Sequence, residues 1–170
     1  MVNKEKISKK KIAFIVFLVI SLFWFAGAIG WYFIYQPVSE TNTTEYTVTI
    51  NKIQPITFYS ISTNEHKAKF GIFSEEVIKD IDALNNLTVD QTITIRIKNT
   101  DIASLDNSDD TIWIVSLKTY DSDIITIDSY NENNAKMQLQ ACLGFCVGGV
   151  LCLITSIVIF LWDKGKIVKS

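Results

Sequence analysis

The chain has 170 residues, 48 % of them hydrophobic and 20 % charged, with a formal net charge of -2. Two long apolar runs leave about a hundred residues for everything else, room for one small domain with its own core. Cys142, Cys146 and Cys152 all fall in the second apolar run, so the middle segment has no disulfide framework, and the C-x3-C-x5-C spacing reads as small apolar packing residues.

Dividing the charge by segment is more informative than the total. Lys4, Lys6, Lys9, Lys10 and Lys11 against Glu5 give the first tail +4, and Lys164, Lys166 and Lys169 against Asp163 give the last tail +2. Residues 36–138 carry 8 basic and 16 acidic side chains, a net -8. Basic ends around an acidic middle fit the positive-inside rule with a cell-membrane location, both termini cytoplasmic and residues 36–138 extracytoplasmic.

In chain order, residues 1–11 form a basic tail suited to the anionic inner leaflet of a lipid bilayer. Residues 12–35 contain 24 residues without a charge. As a helix rising ~1.5 Å per residue they reach about 36 Å, enough to cross a hydrocarbon core of about 30 Å. Ala26-Gly27-Ala28 has the small-x-small pattern of a signal cleavage site, so a cleaved leader is the alternative to an anchor. Continuation of the run through Ile29, Trp31, Phe33 and Ile34 favours the anchor, with Trp31, Tyr32 and Tyr35 placed as an interfacial belt.

Pro37 ends that helix, and residues 36–45 read as a polar linker. Residues 46–51 alternate, with Tyr46, Val48 and Ile50 on one face, and predict a strand. Residues 52–55 (KIQP) predict a turn, residues 56–62 a second strand and residues 67–73 a third, with Gly71 marking a bulge. Ser74 then caps an amphipathic helix predicted over residues 75–85, with Phe73 and Ile78 as its hydrophobic staple.

Residues 92–98 (TITIRIK) give the cleanest alternation, with Ile93, Ile95 and Ile97 inward. A polar loop covers residues 99–110, a fifth strand residues 111–117, and a short edge strand residues 124–127. The domain is thus placed at residues 46–128, followed by a polar linker over residues 129–138. A second span runs over residues 139–162 and a cytoplasmic tail over residues 163–170. Small residues make a GxxxG pair at Gly144 and Gly148, and Ala26 and Gly30 lie at matched depth in the first run. These four are the expected contact between the spans, with homo-oligomerisation through the same stripe as the rival.

The expected fold class is therefore a membrane α-helical hairpin of two transmembrane helices carrying a small β-rich α+β domain. Its strand, strand, strand, helix, strand, strand order resembles the OB-fold, a five-stranded Greek-key barrel with a helix between its third and fourth strands. The whole layout also resembles small two-span bacterial membrane proteins with a β domain between the spans. An open antiparallel sheet crossed by the helix is the rival architecture. The OB resemblance implies a ligand face on the second and third strands, here Phe58, Tyr59 and Phe70, whose alternative role is core packing. Nucleic acid does not suit a domain of net -8, whereas a partner membrane protein or envelope component does.

No catalytic motif, phosphate loop or metal-spaced Cys/His set is present, and no cofactor is expected. The leading expectation is a non-catalytic interaction module, an accessory subunit of a membrane complex being one form of it. The alternative is an envelope enzyme or metal-dependent sensor using His66, the sole histidine, or the loop of Asp106, Asn107, Asp109 and Asp110. Asp106, Asp109 and Asp110 offer hard oxygen ligands for calcium, but that loop lacks the glycine and distal glutamate of an EF-hand, and such runs also make solvated turns. Asn42-Thr43-Thr44 and Asn86-Leu87-Thr88 match the N-glycosylation sequon, which matters only in a host that glycosylates exported chains.

Overall fold

A computed structural model describes residues 9–34, 36–55 and 59–167. Tyr35, the start of the predicted second strand with Phe58, and the two chain ends lie outside the described residues. The chain divides into two compact units, a helical pair (residues 1–36 with 136–170) and a β-rich domain (residues 37–135).

The helical pair is built from α1 (Lys9–Ile34) and the greater part of α3 (Ile127–Ile167), both long and apolar enough to cross a membrane. Their apolar side chains are exposed on most of their circumference, Phe23 at 74 % and Leu22 at 62 %. Three side chains tie the pair along one seam. Ser156 Oγ donates to the Phe14 carbonyl at 3.1 Å, Ser21 Oγ to the Gly149 carbonyl at 2.9 Å, and Cys142 Sγ to the Ala28 carbonyl at 3.5 Å. Gln138 Nε2 adds a bond to the Tyr32 carbonyl at 2.6 Å.

Positions 14, 21 and 28 thus face 156, 149 and 142, seven residues apart on each helix. A 3.5-residue repeat is the signature of left-handed packing, in which small side chains bring backbones close. Rings fill the holes beside the seam: a Cβ on Gly148 would lie 2.9 Å from Trp24, on Gly149 3.0 Å from Phe25, and on Gly27 3.1 Å from Phe145.

This seam differs from the expected one through Ala26, Gly30, Gly144 and Gly148. Ala26, Gly30 and Gly144 are exposed, and a Cβ on Gly30 or Gly144 would meet nothing within 4 Å. Only Gly148 faces the partner helix. The reason is the bulk of Trp24, Phe25 and Phe145, which must be seated against glycines and so select the seven-residue repeat over the four-residue one.

The β-rich domain holds a mixed sheet in the order β5-β3-β2-β1-β4-β6-β7. Its strands are β1 (Thr43–Pro55), β2 (Tyr59–Thr63), β3 (Lys69–Gly71), β4 (Thr92–Lys98), β5 (Thr111–Trp113), β6 (Ser116–Lys118) and β7 (Asp123–Ile125). All neighbours are antiparallel except β3 and β5, and the ladders do not close into a ring. β1 is shared: residues 43–49 pair with β4 and residues 50–55 with β2. A bulge between Ile50 and Lys52 separates the halves, so the predicted turn at residues 52–55 is a continuation of the strand.

Val48, Ile50, Ile61, Phe70, Ile95 and Leu117 centre the core, each at most 1 % exposed. The Ile93, Ile95, Ile97 alternation is buried as expected, each side chain contributing about 1.5–3 kcal/mol by leaving water. The predicted fifth strand is split into β5 and β6. Ile114 N–H donates to Gly71 O of β3 at 2.9 Å, and the next amide, Val115, donates to Arg96 O of β4 at 2.8 Å.

The predicted helix over residues 75–85 is also broken. A 3-10 turn at Glu75–Val77 is followed by a bridge from Ile78 to Ile125, and α2 (Ile81–Asn85) starts afresh behind an Asp80 cap. Lys79 N–H bonds the Ile124 carbonyl at 2.8 Å, so the extended step satisfies β7 backbone groups that a continuous helix would have left bare.

Residues 129–138, expected as a linker, are helical within α3. Tyr130 is buried against Phe73, ring centroids 5.2 Å apart, with Val38 and Val115 beside it. The Asn131 side chain bonds Val38 twice, Oδ1 accepting from its N–H at 2.9 Å and Nδ2 donating to its carbonyl at 2.8 Å. Asn131→Ala strands both backbone groups and is predicted to lower domain stability by about 1–3 kcal/mol, seen as a lower melting midpoint of the detergent-solubilised chain. With Cys146 and Cys152 replaced by Ser, Ala28→Cys is predicted to crosslink to Cys142 under mild oxidation. The pair Gly30→Cys and Gly144→Cys should remain uncrosslinked within one chain.

Candidate functional site

A polar groove of about 430 Å³ opens on the β-rich domain. Its walls are Val38, Ser39 and Glu40 ahead of β1, Arg96 on β4, Ser116 and Lys118 on β6, Asp123 on β7, and Thr126, Ile127, Asp128 and Asn131 at the start of α3. The elements explain the placement. Arg96 sits on the outward face of β4 because Ile95 and Ile97 occupy the inward one. Thr126 and Ser129 cap α3 reciprocally, each hydroxyl accepting from the other's amide (3.2 and 3.1 Å), and Ser129 Oγ also donates to the Val77 carbonyl at 2.8 Å.

Two cations and three carboxylates meet the groove, and two of these charges are paired to each other. Lys118 Nζ lies 3.8 Å from Asp123 Oδ1, both side chains about half exposed. Arg96 turns Nη2 to Glu45 Oε2 at 2.7 Å and Nη1 to Thr43 Oγ1 at 3.4 Å. An exposed pair such as Lys118–Asp123 contributes only about 0–1 kcal/mol, so a ligand carrying its own charges exchanges for it at little cost. A surface of alternating sign with side-chain amide and hydroxyl groups suits a polypeptide or polar polymer of mixed character.

Residues 119–122 join β6 to β7 at the groove's rim, and the domain clamps them from outside. Thr119 and Ser122 bond each other's backbone, and Ser122 Oγ donates to Asp80 Oδ2 at 2.8 Å. The same carboxylate caps α2 by accepting from Ala83 N–H at 2.8 Å. The Ala83 amide first, then the Ser122 hydroxyl, hold the Asp80 pKa below its ordinary value, against the opposing effect of burial. Away from the groove lining, burial raises the Glu65 pKa. Hydrogen bonding of its two oxygens to Thr49 N–H at 2.9 and 3.0 Å outweighs that and leaves it lowered.

The residues expected to form sites are dispersed. Phe70 has no exposed surface and belongs to the core, which removes it from any ligand face. Tyr59 is half-buried against the same core, its hydroxyl donating to Asn85 Oδ1 at 2.7 Å. Phe58 lies outside the described residues. Asp106, Asp109 and Asp110 lie around a turn organised by Asn107, whose Oδ1 accepts from Asp109 N–H and whose carbonyl accepts from Asp110 N–H. No three His, Cys, Asp or Glu side chains come together as a metal site among the described residues. His66 is half-buried between the rings of Tyr46 and Phe70, at centroid distances of 5.3 and 6.0 Å.

The groove's own residues carry no motif. Tyr130, Asn133 and Asn134 follow helical spacing and are all buried, but two of the three are polar, so the stretch carries no apolar periodicity that would have marked it as a helix. Compared with known proteins, the chain matches no family model, no curated protein and no solved structure.

A carboxyl whose pKa falls on folding adds stability that is complete above its unfolded pKa of about 3.9 and is lost as pH drops through the lower folded value. Asp80→Asn keeps a capping oxygen without the charge. It is predicted to melt below the wild type at about pH 6, with the gap closing below about pH 4. Melting curves of the two proteins across that range check it, and a gap independent of pH would remove the carboxylate from this account.

Proposed function

We propose that this chain is a membrane-anchored binding module. In this reading α1 and the apolar part of α3 cross a bilayer, both termini are cytoplasmic, and residues 36–138 form an extracytoplasmic domain that engages a partner membrane protein or envelope component through the mixed-charge groove. The observation that carries it is the exposed apolar girth of both helices. Side chains such as Phe23, Leu22, Phe33 and Leu161 cover faces that water would not tolerate over this length. The charge division between the tails and the middle supports the orientation.

The domain itself is proposed as an OB-like, partly open barrel. Three features support that reading: β1 is bent and shared between two partners, β3 and β5 run parallel, and consecutive amides at Ile114 and Val115 reach β3 and β4. The ligand site differs from the one that the OB resemblance implies. It uses the edge formed by β4, β6, β7 and the start of α3 rather than the face of β2 and β3. Binding rather than catalysis is proposed because both of the groove's cations are engaged in ion pairs, Arg96 with Glu45 and Lys118 with Asp123.

Two measurements test the reading together. In a chain with its native cysteines replaced by Ser, a single cysteine at the fully exposed Tyr120 is predicted to react with an impermeant maleimide on intact cells, and one at Lys169 only after lysis. Labelling of Lys169→Cys from outside would overturn the orientation. Partner proteins that co-purify from the native membrane should be lost on exchanging the groove charges by Lys118→Glu and Asp128→Lys. Unchanged co-purification would overturn the groove's role.

A further inference from the structure

The helical pair leaves a groove of about 250 Å³ at one end, lined by Lys9 and Ala13 of α1 and by Ile159 and Trp162 of α3. It arises where the seam stops. Phe14 meets Phe160 with ring centroids 5.3 Å apart, and Ser156 bonds the Phe14 carbonyl, so the helices are closed at that level. At Ala13 a single methyl group faces Ile159 and Trp162, too small to fill the space. Among the described residues the walls are hydrocarbon and indole, and Lys9 is the one charged residue that lines them.

The charge of the sequence flanking these two helix ends is strongly one-sided. α1 has no acidic residue in its first turn, and Lys4, Lys6, Lys10, Lys11, Lys164 and Lys166 outnumber Glu5 and Asp163 in the adjoining sequence. An occupant must therefore combine a long apolar body with a negative group at one end. Free phosphate has no use for the hydrocarbon walls, and a zwitterionic lipid does not match the net charge.

We propose that this groove holds an acyl chain of a phospholipid whose anionic headgroup pairs with Lys9. The proposal rests on the membrane-spanning reading above. Trp162 forms the groove's rim, a position that tryptophan favours at the headgroup level, and Lys9 supplies the near-surface cation that attracts anionic lipid.

The test uses the full chain, purified in detergent with defined mixtures of phosphatidylglycerol and phosphatidylcholine, with retained lipid counted by native mass spectrometry. The wild type is expected to retain phosphatidylglycerol in preference to phosphatidylcholine. Lys9→Gln removes the cation, and Ala13→Leu fills the groove while leaving every charge in place. Lys9→Gln should weaken phosphatidylglycerol retention about fivefold, the size of one near-surface cation's contribution, and Ala13→Leu should weaken it by displacing the acyl chain. Equal retention of the two lipids by the wild type, or retention unaltered in either variant, would overturn the proposal. Alkaline carbonate extraction of native membranes separates the two levels. Release of the protein defeats the spanning reading, whereas a protein that stays in the pellet without lipid preference defeats the groove alone.

Discussion

The β-rich domain depends on one strand meeting the hydrogen-bonding demands of two others. β1 pairs with β4 over its first half and with β2 over its second, and backbone groups left bare at the crossover would each cost on the order of 1–3 kcal/mol. The bulge between Ile50 and Lys52 resolves this by bending the strand and resetting its alternation, so that Val48 and Ile50 before it and Ile53 after it all reach the core. The handover is sealed by further backbone bonds: Ile50 N–H donates to Gln91 O at 2.9 Å, and Asp90 N–H donates to Ile50 O at 2.8 Å. Asp90 takes a positive φ of 66° to do so, a conformation that Asp tolerates better than most residues.

From that strand the rest of the domain follows. β4 and β6 extend one half of the sheet and β2 and β3 the other, while residues 111–118 pass from β3 to β4. Gly71 is required at the passage, because a Cβ there would lie 2.7 Å from the Trp113 ring. The start of α3 covers the outside of this region, with Tyr130 on Phe73 and Val115, and Asn131 fastening the Val38 backbone. The groove lies among these pieces, so its geometry inherits the order of the sheet rather than any local motif.

This explains what could be read from the sequence and what could not. The strand at Thr92–Lys98 was legible to the residue, because a period of two with Ile at every inward position has a single interpretation. The two long apolar helices were legible from length and absence of charge. The continuation of β1 was hidden because a bulge interrupts alternation in the same way that a turn does, and Pro55 reinforced the wrong choice. The break at Ile78 was hidden because periodicity cannot report that a distant strand edge, Ile124 and Ile125, needs partners. The groove was illegible for a related reason: Glu40, Arg96, Lys118 and Asp128 are contributed by four separate segments. For the helical pair, counting glycines by depth found small residues, but only the bulk of Trp24, Phe25 and Phe145 decides which of them face the partner helix.

The seam between the two helices also constrains how that pair can move. Phe14 with Ser156, Ser21 with Gly149 and Ala28 with Cys142 share a single offset, so a slide of one residue along the axis breaks all three bonds at once and drives the Trp24 and Phe25 rings off their glycines. The three bonds therefore define one shared register for the pair rather than three independent contacts.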